Sequence, residues 1–320
     1  MSASTAQPPP KGNPNGAMEK LLMALSLEKL DKDLFRSVLL WTPENARGTF
    51  GGQLVAHSVE AAHHTIPDAM VIHSVHCYFL HGGNSQKPIY YRVRRMRDGK
   101  SMAVRMIVAQ QEGQPIFVAN ASFHIKEKAG ISHQPRFPSV PPPEQGRSEK
   151  EFMESLMSEV SEGKRFRQDM RRKMSREAAP VQMRYLQRGT PKRPIKSNRP
   201  SHTWVKVDLS QEQLDAVPRV HLLLACWLSD FTLALAGLQH HGSPNPDVQM
   251  LVSLDHTIYF HQSDFVVSDW FLYEVFSHWA DNNRALNTGK IYSKGGRLEM
   301  TVVQESLVRM TDGYYSVAKL

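Results

Sequence analysis

The sequence predicts an α+β protein in which two antiparallel sheets each wrap around one long central helix. Three observations carry this. Residues 221–238 are apolar nearly all round, as in a helix buried on every side rather than one lying on a surface; at 1.5 Å per residue it would span roughly 27 Å, enough to cross a sheet. Segments rich in β-branched and aromatic residues alternate with tight-turn signals, so hairpins dominate and the strands run antiparallel. The pattern also occurs twice, which makes repetition the organising feature of the chain.

The first copy opens its strands at His76-Cys77-Tyr78-Phe79-Leu80-His81 and closes them at Val118-Ala119-Asn120-Ala121-Ser122-Phe123. The second opens at His256-Thr257-Ile258-Tyr259-Phe260-His261 and closes at Val302-Val303-Gln304-Glu305-Ser306-Leu307. Laid on one another, these segments put Asn120 and Ser122 where Gln304 and Ser306 stand. A helix precedes each set, over Gly52–His64 in the first copy and His221–Leu238 in the second. Strands are expected at Val104–Ala109, Ile116–Phe123, Val181–Leu186, Thr203–Val207, Trp270–Ser277 and Glu299–Met310. Turns are expected at Asp98-Gly99, Glu112-Gly113, Asp281-Asn282-Asn283, Lys294-Gly295-Gly296 and Asp312-Gly313.

The domain plan follows from composition. Residues 1–17, rich in Pro, Ser, Gly and Asn, read as a disordered tail with no apolar export segment. Residues 18–125 form the first copy and 126–179 a linker with a short helix. Residues 180–317 form the second copy, and 318–320 stand apart as a terminal tripeptide. Within the linker, the prolines between Lys126 and Gly146 imply an extended, exposed segment. Glu149–Val160 spaces Phe152, Leu156 and Val160 for an amphipathic helix. The basic run Lys164–Arg176 is either a clamp for phosphates or a solvated surface.

Hydrophobic residues make up 41% of the 320 residues and charged residues 22%, values of an ordinary globular protein with ample core. No apolar run reaches the roughly 18 uncharged residues that a transmembrane helix needs, since Asp230 interrupts the nearest. Two cysteines in apolar stretches, Cys77 and Cys226, imply core thiols in a reducing compartment. The net charge of +8 favours an anionic partner. Nucleic acid is not expected, because basic residues are not interleaved with aromatics in a known module.

Three side chains in the second copy could do chemistry. Asp230 is the sole formal charge within the apolar helix, and a buried carboxylate is expensive unless it is hydrogen-bonded or shifts its pKa; it could equally cap a break in the helix. Gln304 falls on the strand face that carries Leu298, Met300, Val302, Ser306, Val308 and Met310, so its amide points into an apolar layer and needs partners. Ser253 shares a mixed face with Leu251, Asp255, Thr257 and Tyr259 and reads by itself as structural. No Gly-x-Ser-x-Gly elbow is present. The adjacent pairs His63-His64 and His240-His241 do not present two rings to one ion from a helix, so no metal is expected.

Ser229-Asp230-Phe231, Ser253-Leu254-Asp255-His256 and Val303-Gln304-Glu305-Ser306, in this order and preceded by Arg47-Gly48-Thr49-Phe50-Gly51-Gly52-Gln53, resemble the type II acyl-CoA thioesterases, a double-hotdog family. The likeness runs from about Leu34 to Met310. It implies a thioester hydrolase that releases fatty acid and CoA without a cofactor, with Asp230, Ser253 and Gln304 as the catalytic set. It also implies that only the second copy is catalytic, because the first is expected to offer Asn120 for Gln304, His73 for Ser253 and, over Gly52–His64, no acidic residue to stand for Asp230. Water attacking directly and a Ser253 acyl-enzyme both remain open. The oxyanion donors are expected among backbone amides at a helix start.

Ala318-Lys319-Leu320 resembles the Ser-Lys-Leu peroxisomal address, which implies the peroxisome matrix and an import receptor as partner. A homodimer of chains is a further candidate assembly. The rival functions are a hotdog enoyl-CoA hydratase, which wants a His five residues after its Asp where this chain has Leu235, and a non-catalytic acyl-CoA-binding protein.

Overall fold

The structure is a computed structural model, and it describes residues 14–43, 46, 48–128, 130–159, 181–186, 199–217, 219–239 and 248–310. The N-terminal residues 1–13, Arg47, the basic run Lys164–Arg176, the pair His240-His241, the turn at Asp312-Gly313 and the tripeptide Ala318–Leu320 lie outside them.

Among the described residues the strands are β1 (Leu27–Asp31), β2 (Leu34–Ser37), β3 (Met70–Phe79), β4 (Tyr90–Asp98), β5 (Met102–Gln111), β6 (Gln114–Ile125), β7 (Arg147–Ser148), β8 (Val181–Tyr185), β9 (Ser201–Val207), β10 (Val248–Ser253), β11 (Asp255–Phe260), β12 (Phe271–Asp281), β13 (Arg284–Ser293) and β14 (Leu298–Met310). The α-helices are α1 (Pro14–Leu25), α2 (Gly51–His63), α3 (Glu149–Glu159), α4 (Gln211–Ala216), α5 (Val220–Ser229) and α6 (Ala236–Gln239). Residues 14–17, assigned to the disordered tail from sequence, instead open α1; Met18 and Leu22 of that helix are buried in the core.

Hairpins build both halves. The β12–β13 connection is a two-residue loop at Asn282 and Asn283, with φ of 49° and 57°, a turn whose twist matches that of the flanking strands. Glu112 and Gly113 make the equivalent loop between β5 and β6. The expected two separate sheets are one. The strand order is β1-β2-β4-β5-β6-β3-β11-β14-β13-β12-β9-β8-β7, with β10 also on β14, and every pairing is antiparallel. The seam is the pair β3–β11, in which His256 faces Cys77 and Ile258 faces Val75. Each copy would leave an edge strand with unpaired backbone groups, and joining the two edges removes both.

Helices α2 and α5 lie against each other on the inner face of this sheet. The second helix is shorter than the sequence predicts. It stops at Ser229, Asp230 is its C-cap, and the chain resumes as a 3-10 turn at Leu233–Leu235 followed by α6. The alternative weighed for Asp230, a cap at a helix break, is therefore part of the structure.

The proline-rich segment after Lys126 is not a free linker. Phe137 packs on Trp204 and Tyr292, with ring centroids 6.4 and 5.5 Å apart, and Val140 joins them over Leu272 and Leu298. Trp204 Nε1 donates to the Pro141 carbonyl at 2.9 Å, and the Gln134 side chain both donates to Gly296 O and accepts from Leu298 N. The segment is a strap over the outer face of the second copy. Leu298, placed by alternation beside Gln304, belongs to this outer cluster, because the β13–β14 register shifts between Ile291 and Tyr292 and takes Leu298 to the other face. At the end of the strap, α3 lays Phe152 on Tyr185 with centroids 4.5 Å apart.

The alignment of the two copies needs a correction of the same kind. Asn120 is exposed and Gln304 fully buried; likewise His76 is exposed and His256 fully buried. Side chains alternate with a period of two, so the matched motifs are out of step by an odd number of residues, and Asn120 does not sit where Gln304 does. The inward-facing neighbours of Asn120 are Ala119 and Ala121.

Candidate active site

The site is assembled from the end of one helix, a break between two strands and the middle of a third strand. Asp230 stands where α5 stops. Ser253 ends β10, and Gln304 lies on β14 within the buried row Met300, Val302, Gln304 and Ser306. β10 and β11 both pair with β14, and the chain steps between them at Leu254.

The three side chains predicted from sequence meet. Gln304 Nε2 donates to Asp230 Oδ1 at 2.5 Å and to Ser253 Oγ at 2.8 Å, and Ser253 Oγ donates to Asp230 Oδ1 at 3.3 Å. Gln304 Oε1 is buried with no hydrogen-bond partner among the described residues. Burial pushes the Asp230 carboxyl up to about 6, against the opposing pull of hydrogen bonds from Gln304, Ser253 and the Gly52 amide. At that value the group is roughly nine-tenths ionised at pH 7 and still basic enough to take a proton.

The first copy contributes to the site in a way the sequence did not announce. The backbone N–H of Gly52, in the first turn of α2, donates to Asp230. A carboxylate is favoured there by the free amides and the positive end of the helix. The approach needs glycine. A Cβ on Gly51 would lie 2.7 Å from Asp230 Oδ2 and 2.9 Å from the Phe79 ring, and one on Gly52 would lie 2.4 Å from the Trp227 carbonyl oxygen. The signal was the doublet Gly51-Gly52 at the start of a predicted helix, where a side chain would normally be tolerated.

The neighbours of the three residues tie the segments together. Ser229 Oγ meets His256 Nε2 at 2.9 Å, and Tyr273 OH donates to the Ser229 carbonyl at 2.5 Å. Asp255 Oδ1 accepts the Glu305 amide at 2.8 Å, while the Leu254 amide donates to the Glu305 carbonyl at 2.8 Å. Each of the three segments thus holds the next. An aromatic wall of Trp41, Phe50, Trp227 and Phe231, with neighbouring centroids 4.9 to 5.5 Å apart, stands beside Asp230.

In the first copy, His73 Nε2 contacts Ser122 Oγ at 2.7 Å on a bulge of β3. Contrary to the expectation for Gly52–His64, α2 does carry an acidic residue, Glu60, but it is occupied elsewhere: Arg219 holds it through two bonds of 2.9 and 2.7 Å, and His64 approaches to 3.1 Å. These partners draw its pKa down to about 2 against the opposing effect of burial.

Two family profiles match the chain, one described as the acyl-CoA thioesterase N-terminal domain over residues 40–124 and one as the C-terminal domain over 153–308. The chain belongs to the acyl-CoA thioesterase family. Its activity is hydrolysis of acyl-CoA thioesters. It is similar to human acyl-coenzyme A thioesterase 8, with 32% identity over 309 residues that cover 94% of this chain and 92% of that protein. It is also similar to peroxisomal acyl-coenzyme A thioester hydrolase 1 of Saccharomyces cerevisiae, 30% identical over 339 residues, covering 91% and 95%. Among solved structures it resembles the acyl-CoA thioesterase II TesB2 of Mycobacterium marinum, at a TM-score of 0.69 and 29% identity over 93% of this chain and 100% of that one.

Proposed function

We propose that this thioesterase is a double hotdog whose second copy hydrolyses fatty acyl-CoA by direct attack of water. Asp230 is the general base, and Ser253 and Gln304 complete the catalytic set. The observation that carries this is the meeting of three polar groups from separate segments on one buried carboxylate whose pKa lies near 6. One hydrogen of the water is directed to Asp230 and the other to the unpartnered Gln304 Oε1, leaving an oxygen lone pair free for the thioester carbonyl. Asp230 takes the first proton as the C–O bond forms. The tetrahedral intermediate then expels CoA as a thiolate, a leaving group of roughly pKa 8.5 if it behaves as a free cysteine does, which lessens the need for a strong acid. A base placed in this way contributes about 10²–10⁴ in rate.

The test is the pH dependence of thiol release across acyl-CoA esters from short to very long. kcat/KM is expected to fall below an acid midpoint near 6, with no burst of thiol ahead of the steady state. A burst in proportion to enzyme would instead assign the reaction to a Ser253 acyl-enzyme.

The peroxisome matrix is the proposed location, supported by the similarity to the peroxisomal thioester hydrolase of yeast. Removal of Ala318-Lys319-Leu320 from an N-terminally fluorescent chain should abolish punctate import, and unchanged import would refute the address.

A further inference from the structure

We infer that Tyr273 and His256 are positioning residues that hold the Ser229–Asp230 peptide, with Tyr273 neutralising the helix-end carbonyl that would otherwise oppose the Asp230 carboxylate. This rests on Asp230 being the base proposed above.

The last carbonyls of a helix have no partner within it and carry partial negative charge. Asp230 places its carboxylate at that end of α5. Three of these carbonyls have partners. Cys226 O accepts from Ser229 Oγ at 2.7 Å, Leu228 O accepts from the Phe231 amide at 3.1 Å, and Ser229 O accepts from Tyr273 OH at 2.5 Å. Tyr273 therefore covers the carbonyl of the very peptide that leads into Asp230. Its ring leans from β12 over Gly289 of β13, the partner of Val275 and so a diagonal neighbour of Tyr273, where a Cβ would lie 2.5 Å from Tyr273 Cε2 and 2.9 Å from its hydroxyl.

His256 acts on the same residue. Ser229 Oγ has one proton and gives it to Cys226 O, so its 2.9 Å contact with His256 must be donated by Nε2–H. The tautomer follows: Nδ1 is the bare nitrogen, which agrees with its being buried without a partner. Burial keeps the ring neutral, with its pKa lowered to about 3. Cys77 of the first copy donates its Sγ proton to the His256 carbonyl at 3.0 Å and fixes the strand from the other side.

The titratable groups facing Asp230 are Tyr273 from β12 and Cys77 from β3, both raised chiefly by burial and further by its charge, with His256 on β11 and Cys226 on α5 next to them. All are neutral at pH 7. Burial and the surrounding dipoles, with no neighbouring charge among these groups, decide how readily Asp230 ionises. Removing the Tyr273 hydroxyl bares a carbonyl dipole beside it, disfavours the anion and raises the pH at which activity is lost.

The experiment compares wild type with Tyr273→Phe, Gly289→Ala, His256→Leu and His256→Gln, recording kcat, KM, the acid midpoint of kcat/KM and the melting temperature, with Asp230→Asn alongside. Tyr273→Phe is expected to lower kcat by roughly tenfold at pH 7 with KM within about twofold, and to move the acid midpoint up by about half a unit or more. Gly289→Ala, which keeps the hydroxyl but displaces it, should move the midpoint the same way. His256→Leu should lower kcat, and His256→Gln, which retains an N–H donor, should recover most of it. A midpoint unmoved in both Tyr273→Phe and Gly289→Ala, with kcat losses that merely track melting temperature, overturns the inference. Turnover by Asp230→Asn would show that the underlying assignment of the base, rather than its positioning, had failed.

Discussion

The two copies share a helix, a hairpin series and a common seam, yet they treat their buried polar groups in opposite ways. In the first copy α2 runs unbroken from Gly51 to His63, its carboxylate Glu60 is neutralised by Arg219, and the inward positions flanking Asn120 are Ala119 and Ala121. In the second copy the helix breaks at Ser229, its carboxylate Asp230 meets no cation among the described residues, and the inward position on β14 is Gln304. One carboxylate is stabilised as an anion and the other is kept basic. The lesson is that a duplicated scaffold holds its two buried carboxylates in opposite states when one copy pairs its polar groups by charge and the other pairs them only by dipoles.

The comparison is broken most severely by exchanging what differs. Gln304→Ala removes the donor shared by Asp230 and Ser253, and kcat is expected to fall by about 10²-fold or more in a thiol-release assay, the scale of removing one preorganised donor. Asn120→Ala, at the position the sequence alignment equates with it, should leave kcat within about twofold. Gly51→Ala forces a methyl group to within van der Waals repulsion of Asp230 Oδ2. It should lower kcat by roughly tenfold although the substituted residue lies in the first copy.

Stability sharpens the contrast further. Asp230 has a folded pKa near 6, above its unfolded value of 3.8, so the folded state binds the proton more tightly. Its favourable contribution is complete below about 4 and is lost as pH rises through 6. Asp230→Asn is therefore expected to be more stable than wild type at pH 8 by on the order of 1–3 kcal/mol in urea melts, the gap closing toward pH 4. Glu60 is the mirror image. Its pKa of about 2 lies below the ordinary 4.5, so its contribution is present above 4.5 and lost as pH falls toward 2. Glu60→Gln should cost about 2 kcal/mol at pH 7, less than a fully buried pair would, because the Arg219 side chain is one-third exposed.

Two of the candidate residues, Asp230 and Gln304, are legible for a physical reason: an isolated carboxylate in an apolar helix and an amide in an apolar strand face are expensive, and expense is visible in composition. Ser253, on a mixed strand face, is marked only by the family resemblance, and the structure brings all three together. Register was not visible, because one residue of slip changes no composition yet turns every side chain over, and this is why Asn120 and Leu298 were placed on the wrong faces. The helix break was only half legible, since Ser229 and Asp230 suit a cap as well as a site. The strap was missed because proline content reports an extended backbone and says nothing of Phe137 and Gln134 gripping the sheet. The contribution of Gly52 was hidden because a backbone amide has no letter in the sequence; only the glycines that clear its path do.

The most direct test of the central claim separates binding from turnover in Asp230→Asn. Thiol release from a long-chain acyl-CoA and binding of the same ester are measured on one preparation. Turnover is expected to fall by about 10³-fold or more, with the binding constant within about threefold of wild type. Turnover within tenfold of wild type, or loss of binding in step with activity, would contradict a base held at Asp230.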